Sequence, residues 1–173
     1  MRSPKRKYTA YPTVPLSDRR WPERVIERPP IWCSVDLRDG NQALPEPMGP
    51  SRKRRFFEAL VATGFKEIEV AYPSASQLDF DFVRELVCEE RVPEDVTIGV
   101  LVPARDELID RSFEAIRGAR RVIVHLYNST SEVQRRVVFG LDRAGTIELA
   151  VRAAERIRAH AERAGDTEFV YQY

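Results

Sequence analysis

The sequence predicts an α/β fold: an incomplete TIM (β/α)8 barrel of about five parallel strands with intervening helices, preceded by an extended Pro-rich arm. Three observations predict it. Short apolar runs alternate with amphipathic helical stretches in the order βαβαβαβαβ, which implies parallel pairing through right-handed crossovers. Charged residues gather at the carboxyl ends of the strands, with Arg38 and Asp39 after the first and Glu69 inside the second, and barrels build active sites at that face. The first βα loop, residues 37–50, carries neither GxGxxG nor GxxxxGK(S/T). That weakens the doubly wound sheet, the other closure open to this order. A full barrel takes ~250 residues, and the 173 residues here supply five strands.

Each element has its local reason. Nine of the twelve prolines fall in the first fifty residues, which excludes a long helix or central strand there. Residues 1–30 hold eight Lys+Arg against three Asp+Glu and read as an extended arm, with Trp21, Val25 and Ile26 favouring docking over solvation. Residues 31–173 read as the partial barrel. Ile31–Val35 suits a buried first strand. Ser51 caps a helix to about Thr63 that presents Phe56, Phe57, Leu60 and Val61 on one face, and Gly64 stops it. The second strand is Glu67–Tyr72. A helix from Asp79 to about Glu90 carries Val83, Leu86 and Val87. The third strand is Val96–Val102, followed by a helix from Glu107 to Ile116 with Leu108, Ile109, Phe113 and Ile116 inward. The fourth strand is Arg121–Tyr127. A short helix near residues 132–139 precedes a long one from Thr146 to about Ala164, with Ile147, Ala150, Ala154, Ile157 and Ala161 as its inward stripe. The fifth strand starts near Glu168.

Composition bounds the function. Twenty-eight Lys+Arg against 27 Asp+Glu gives +1, which speaks against a basic nucleic-acid binder. Hydrophobic residues at 43% and charged residues at 32% suit a buried core under a charged shell. No apolar run approaches the ~20 residues of a membrane helix, and the basic N-terminus lacks the apolar stretch of a secretory signal. Cys33 and Cys88 lie outside any CxxC or Cys/His cluster and read as reduced thiols of a cytoplasmic protein.

The chemistry concentrates in Asp36-Leu37-Arg38-Asp39-Gly40-Asn41-Gln42. Strand alternation turns Asp36 and Arg38 to one side and Asp39 to the other, unless Gly40 turns the chain at once and swings Asp39 inward. A carboxylate beside a fixed guanidinium suits metal holding and stabilisation of developing oxygen charge; it also suits a simple loop pin. On the residues alone, Glu69 is either a site carboxylate or a core carboxylate satisfied by an arginine. His125 between Val124 and Leu126 reads as a satisfied core histidine, and His160 as a solvated surface residue. Tyr127–Ser131 is a substrate loop or a helix cap. Arg52–Arg55 reads as the solvated face at a helix start, since cations there oppose the helix dipole and weaken a CoA-phosphate role.

Several segments, in order and spacing, resemble one family: RRWPERVIERPPIWCSVDLRDGNQAL, KEIEVAYPSASQLDFDFVRE, VTIGVLV and IVHLYNSTSEVQRRVVF. From about Tyr8 to Tyr173 the chain resembles the N-terminal half of the catalytic barrel of 2-isopropylmalate synthases, in particular those of the actinobacterial type. The wider group is the metal-dependent barrels that carry out Claisen-type condensations. The resemblance implies an acyltransferase of leucine biosynthesis that condenses acetyl-CoA with 3-methyl-2-oxobutanoate. It implies a divalent metal (Mg, Mn or Zn) bound by the oxo acid. Asp39 matches the metal ligand of the first strand. Arg38 matches the catalytic arginine, which also touches substrate, and Glu69 matches the carboxylate that orients it. Leu101 and His125 match residues lining the 2-oxo acid pocket.

Departures from the family temper these expectations. Among the two histidines, His125 and His160, neither supplies the family's late-strand His-x-His metal ligands, and the Ser-Pro-Glu segment and leucine-binding domain are absent from the sequence. Val102-Pro103 stands in place of Thr-Gln, and Ala71-Tyr72 in place of Gly-Phe. The expectation is therefore a truncated chain, inactive alone, that forms a homo-oligomer or meets a complementing second half across its open strand edges. The alternatives are a non-catalytic half-barrel remnant or partner subunit, and a synthase for another 2-oxo acid.

Overall fold

The computed structural model describes Pro12, Ser17, Asp18 and residues 28–173. The expected arm, with Trp21, Val25 and Ile26, lies almost wholly outside the described residues. Ile31–Tyr173 forms one compact unit. Its elements are β1 (Cys33–Ser34), α1 (Pro50–Thr63), β2 (Glu67–Ala71), α2 (Gln77–Cys88), β3 (Thr97–Pro103), α3 (Asp106–Ile116), β4 (Arg121–Tyr127), α4 (Arg143–Arg163) and β5 (Glu168–Gln172). Two π-helical turns, Asp36–Gly40 and Gln134–Phe139, interrupt this series.

The five strands form one parallel sheet in the order β1-β2-β3-β4-β5. A doubly wound sheet reverses its strand order at a switch point. This sheet never reverses, so it winds as part of a (β/α)8 barrel does, and right-handed crossovers put the helices on one face. Ile68, Val70, Ile98, Val100, Val102, Val122, Val124 and Leu126 form the helix-facing layer of the core, against Phe57, Phe82, Leu86, Ile109 and Ile157. Strand alternation then turns Glu69, Gly99, Leu101, Ile123 and His125 to the opposite, inner face. No described helix is long and apolar enough to cross a membrane.

Several expectations need correction. The first strand shrinks to Cys33–Ser34, and Ile31 and Trp32 stand 70% and 72% exposed, because the chain enters a π-turn at Asp36 instead of continuing extended. Ser51 does not cap α1; Pro50 takes the first helical position behind Gly49, where its missing N–H costs nothing. Gly64 does stop that helix, at φ 104°, donating back to Leu60 and Val61. Ser76 caps α2 by accepting from Asp79 N at 3.1 Å, and Asp142 caps α4 by accepting from Gly145 N at 2.8 Å. In α4 the buried positions are Thr146, Ala153 and Ile157, whereas Ile147 is exposed. The helix starts three residues earlier than its apolar stripe suggests, and its inward face is set by packing on α3 and the sheet.

Charged side chains that read as solvated turn out to hold helices together. Lys53 is completely buried; its ammonium bonds Asp79 of α2 and lies 5.3 Å from the Phe82 ring centroid. Arg54 pairs with Glu85 of the same helix. His160 of α4 stacks on Phe113 of α3 with centroids 4.6 Å apart, and its Nε2 lies 2.7 Å from Asp110 Oδ1. Arg156 Nε donates to the same carboxylate at 2.8 Å, and this contact, followed by the His160 hydrogen bond, holds the Asp110 carboxyl below its ordinary value.

Two predictions follow from these pairs. Asp79→Asn strands a buried cation and lowers unfolding free energy by about 2 kcal/mol or more, whereas Lys53→Met is close to neutral; urea titration distinguishes them. Asp110 is ionised in the fold below the pH at which it protonates in the unfolded chain. Its contribution is complete above the ordinary carboxylate pKa and is lost as pH falls through the depressed folded value. Asp110→Asn therefore flattens the acid limb of a melting-temperature profile measured below about pH 4.

Candidate active site

The site begins with the π-turn. The Val35 carbonyl accepts from the N–H groups of Arg38, Asp39 and Gly40, and that wide turn replaces strand alternation. Leu37 drops into the core, fully buried, and anchors the turn. Arg38 and Asp39 can then point to the same side, which an extended chain forbids. The turn starts at Asp36, ahead of Gly40, which does not use the left-handed region open to glycine. Ser34 donates to Asp36 Oδ2 at 2.6 Å, and Met48 N donates to the buried Asn41 Oδ1 at 2.6 Å, which folds the first βα loop back on itself.

Glu69 sits opposite the turn on β2. It is 4% exposed, and a carboxylate so buried requires partners. Its Oε1 accepts from Arg38 Nε, and its Oε2 lies 2.7 Å from His125 Nδ1 on β4. Arg38 Nη1 in turn bonds Asp39 Oδ1. Arg38, Asp39, Glu69 and His125 thus form one connected chain of side chains at the carboxyl ends of three strands. Leu101, buried, pairs in register with His125 on the same face. Glu69 accepts the Nδ1–H, which in a neutral ring leaves the lone pair at Nε2. Arg38 Nη2 has no partner among the described residues and is the free edge of the guanidinium.

Reaching His125 from β2 requires Glu69 to cross β3. Gly99 lies opposite Glu69 in that strand, and a Cβ there would stand 3.3 Å from Glu69 Cα, 3.5 Å from its Cβ and 3.6 Å from its Cγ. The register slips just beyond, between Glu69 and Ala71. Gly99 is a site residue that sequence reasoning missed; a glycine inside an apolar strand was the available signal. Asn41 lies within the singled-out Asp36–Gln42 stretch, but its part in closing the loop through Met48 N was not read from it.

The arrangement can hold a cation in place beside a reacting oxygen, with a histidine nitrogen nearby. It does not by itself amount to a metal site. Asp39 offers one carboxylate, more than half exposed, and the described residues contain no group of three or more His, Cys, Asp or Glu able to share an ion. A thiolate nucleophile does not fit either. Partial burial pushes the Cys33 thiol above its ordinary value, a backbone hydrogen bond from Glu69 counters this in part, and the charges of Glu69 and Glu67 add to it. Tyr127–Ser131 behaves in part as a cap: Ser131 Oγ accepts from Gln134 N at 3.2 Å at the second π-turn.

Gly99→Ala tests the crossing. The added methyl presses on Glu69 from 3.3 Å and shifts it slightly, lowers stability by about 1 kcal/mol, and lengthens the Glu69–His125 hydrogen bond. In imidazole NMR spectra the Nδ1–H hydrogen-bond shift of His125 then collapses toward that of a Glu69→Gln variant, while Ile123→Val leaves it unchanged.

Residues 29–172 match the family model described as HMGL-like. The chain is 58% identical over 174 residues to a 2-isopropylmalate synthase of Rhodospirillum rubrum, covering 100% of this chain and 31% of that protein. It is 54% identical over 173 residues to one from Paraburkholderia xenovorans, covering 30% of that protein. A third, from Mycobacterium ulcerans, is 58% identical over 160 residues, 92% of this chain and 28% of that protein. The chain therefore spans less than a third of the length of these relatives.

Proposed function

The chain belongs to the HMGL-like family, and from that premise we propose that its site serves the condensation of acetyl-CoA with 3-methyl-2-oxobutanoate, the 2-isopropylmalate synthase reaction. In that chemistry the acetyl methyl loses a proton, the resulting carbon attacks the C2 ketone, and thioester hydrolysis releases CoA. Negative charge develops first on the thioester oxygen and then on the former ketone oxygen. Arg38 meets that charge through its free Nη2 edge, an interaction absent from the ground state. Glu69 is a positioning residue: it holds the guanidinium by Nε and the imidazole by Nδ1, so neither must reorganise during reaction. Leu101 and His125 line the space for the branched oxo acid, one supplying apolar contact and the other a polar nitrogen.

The observation that carries this reading is Glu69, buried and bonded at once to Arg38 and His125. Among the described residues Asp39 is the donor placed for the divalent cation (Mg, Mn or Zn) that the resemblance implies, and those residues do not complete a coordination shell. The reading therefore includes a homo-oligomer or a complementing polypeptide that supplies the remaining ligands. A cytoplasmic setting, consistent with the free thiols of Cys33 and Cys88, belongs to the same proposal.

The test is CoA-thiol release from acetyl-CoA and 3-methyl-2-oxobutanoate, using the chain mixed with a polypeptide corresponding to the rest of its relatives. Release is expected, and Arg38→Gln lowers it by about 100-fold or more. An Arg38→Gln mixture as active as the parent overturns the catalytic assignment. Silence in every mixture selects a second reading, a non-catalytic half-barrel, which the lone carboxylate at the metal position favours.

A further inference from the structure

We propose that the buried pair of Lys53 and Asp79 positions Arg38, by fixing the loop after β1 against the loop after β2. Its bearing on the reaction rests on Arg38 serving the condensation. Among the described residues, Lys53 and Glu69 are the two charged residues that are buried. Each belongs to an ion pair that joins the same two βα units. Glu69 of β2 holds Arg38 in the π-turn after β1. Lys53, in the first turn of α1, holds Asp79, in the first turn of α2.

The two pairs bracket the loops that carry the site. Between Arg38 and Lys53 the chain folds back where Met48 N donates to Asn41 Oδ1 at 2.6 Å, and it enters α1 through Gly49 and Pro50. Between Glu69 and Asp79 it turns where Ala75 N donates to Tyr72 O at 3.0 Å, and it enters α2 where Asp79 N donates to Ser76 Oγ at 3.1 Å. The loops are thus tied to each other at both ends, by Arg38–Glu69 at the strand ends and by Lys53–Asp79 at the helix starts. The π-turn itself packs on α1 and β2, so a shift of α1 reaches Arg38 directly.

Stability does not account for a lysine at this position. Its ammonium gives up water, and a cation in the first helical turn opposes the helix dipole. An apolar side chain of similar volume would hold the helices as firmly. An ion pair in a dry site adds a single geometry, since Nζ must meet Asp79 while lying 5.3 Å from the Phe82 ring centroid. A fixed register of α1 on α2 is what a preorganised guanidinium requires, because a misplacement of ~1 Å set by a residue far from the chemistry can lower the rate about 100-fold.

The experiment follows the Arg38 Nε–H by NMR in the chain itself, and CoA release in the mixture with a polypeptide corresponding to the rest of its relatives. Lys53→Met keeps a urea midpoint close to the parent's. Its Arg38 Nε–H is expected to exchange with solvent about tenfold faster or more, and kcat and kcat/KM to fall together by about tenfold or more. The double variant Lys53→Met with Asp79→Leu leaves no charge behind and gives the same Arg38 signature, which keeps the test open if Lys53→Met alone is destabilised. Arg54→Gln breaks the pair with Glu85, deeper along the same two helices, and leaves Arg38 unchanged. The proposal is overturned if Arg38 Nε–H exchange in both Lys53 variants matches the parent, if Arg54→Gln speeds it equally, or if kcat is unchanged while Arg38 is loosened. The NMR readout needs no turnover, so silence in every mixture counts against the condensation reading while exchange at Arg38 still decides this one.

Discussion

A single buried carboxylate organises the inner face of this sheet. Glu69 cannot be left unpaired in its surroundings, and its two oxygens are used in opposite directions, one for Arg38 and one for His125. That double use joins the loop after β1 to β4 across the intervening strand. It also fixes two side chains that would otherwise each sample several rotamers. The preorganisation a charge-stabilising site requires is thus already present in the protein's own hydrogen bonds. Gly99 eases this arrangement, because a Cβ there would stand in close contact with Glu69, 3.3 Å from its Cα.

The winding of the sheet decides which face can hold such a site. With strands added in sequence order, every crossover helix lands on one side, and the core of Val, Ile, Leu and Phe is confined there. The other side is free to carry polar groups, and it carries them at the carboxyl ends. Strand termini lie side by side there, so residues 31 and 56 positions apart in sequence meet within hydrogen-bond distance.

Charge on the helices has a structural role. Lys53, Arg54, Arg156 and His160 look like solvated residues in a linear reading, and each bonds a carboxylate. Lys53 is the extreme case, since its whole side chain is enclosed between α1 and α2. His160 combines a stacked ring and a shared carboxylate to tie α4 to α3. Burial of this kind depends on where a neighbouring helix lies, and helical periodicity cannot supply that information.

The sequence by itself determined the element order, the parallel α/β class and the stop at Gly64, and it marked Arg38, Asp39, Glu69 and His125 as candidates through the family resemblance. These are legible because apolar periodicity and punctuation by glycine act locally, and because the motif segments are long and keep their spacing. Tertiary structure alone decided the rest. It chose sequential winding over a reversed strand order, turned Asp36–Gly40 into a π-turn so that Arg38 and Asp39 share a side, and let Glu69 bridge over Gly99 to His125. It also buried Lys53 against Asp79 and Phe82. Apart from the local π-turn, each of those outcomes is a contact between residues far apart in the chain, and the free energy that sets such contacts exists only once the strands and helices are packed.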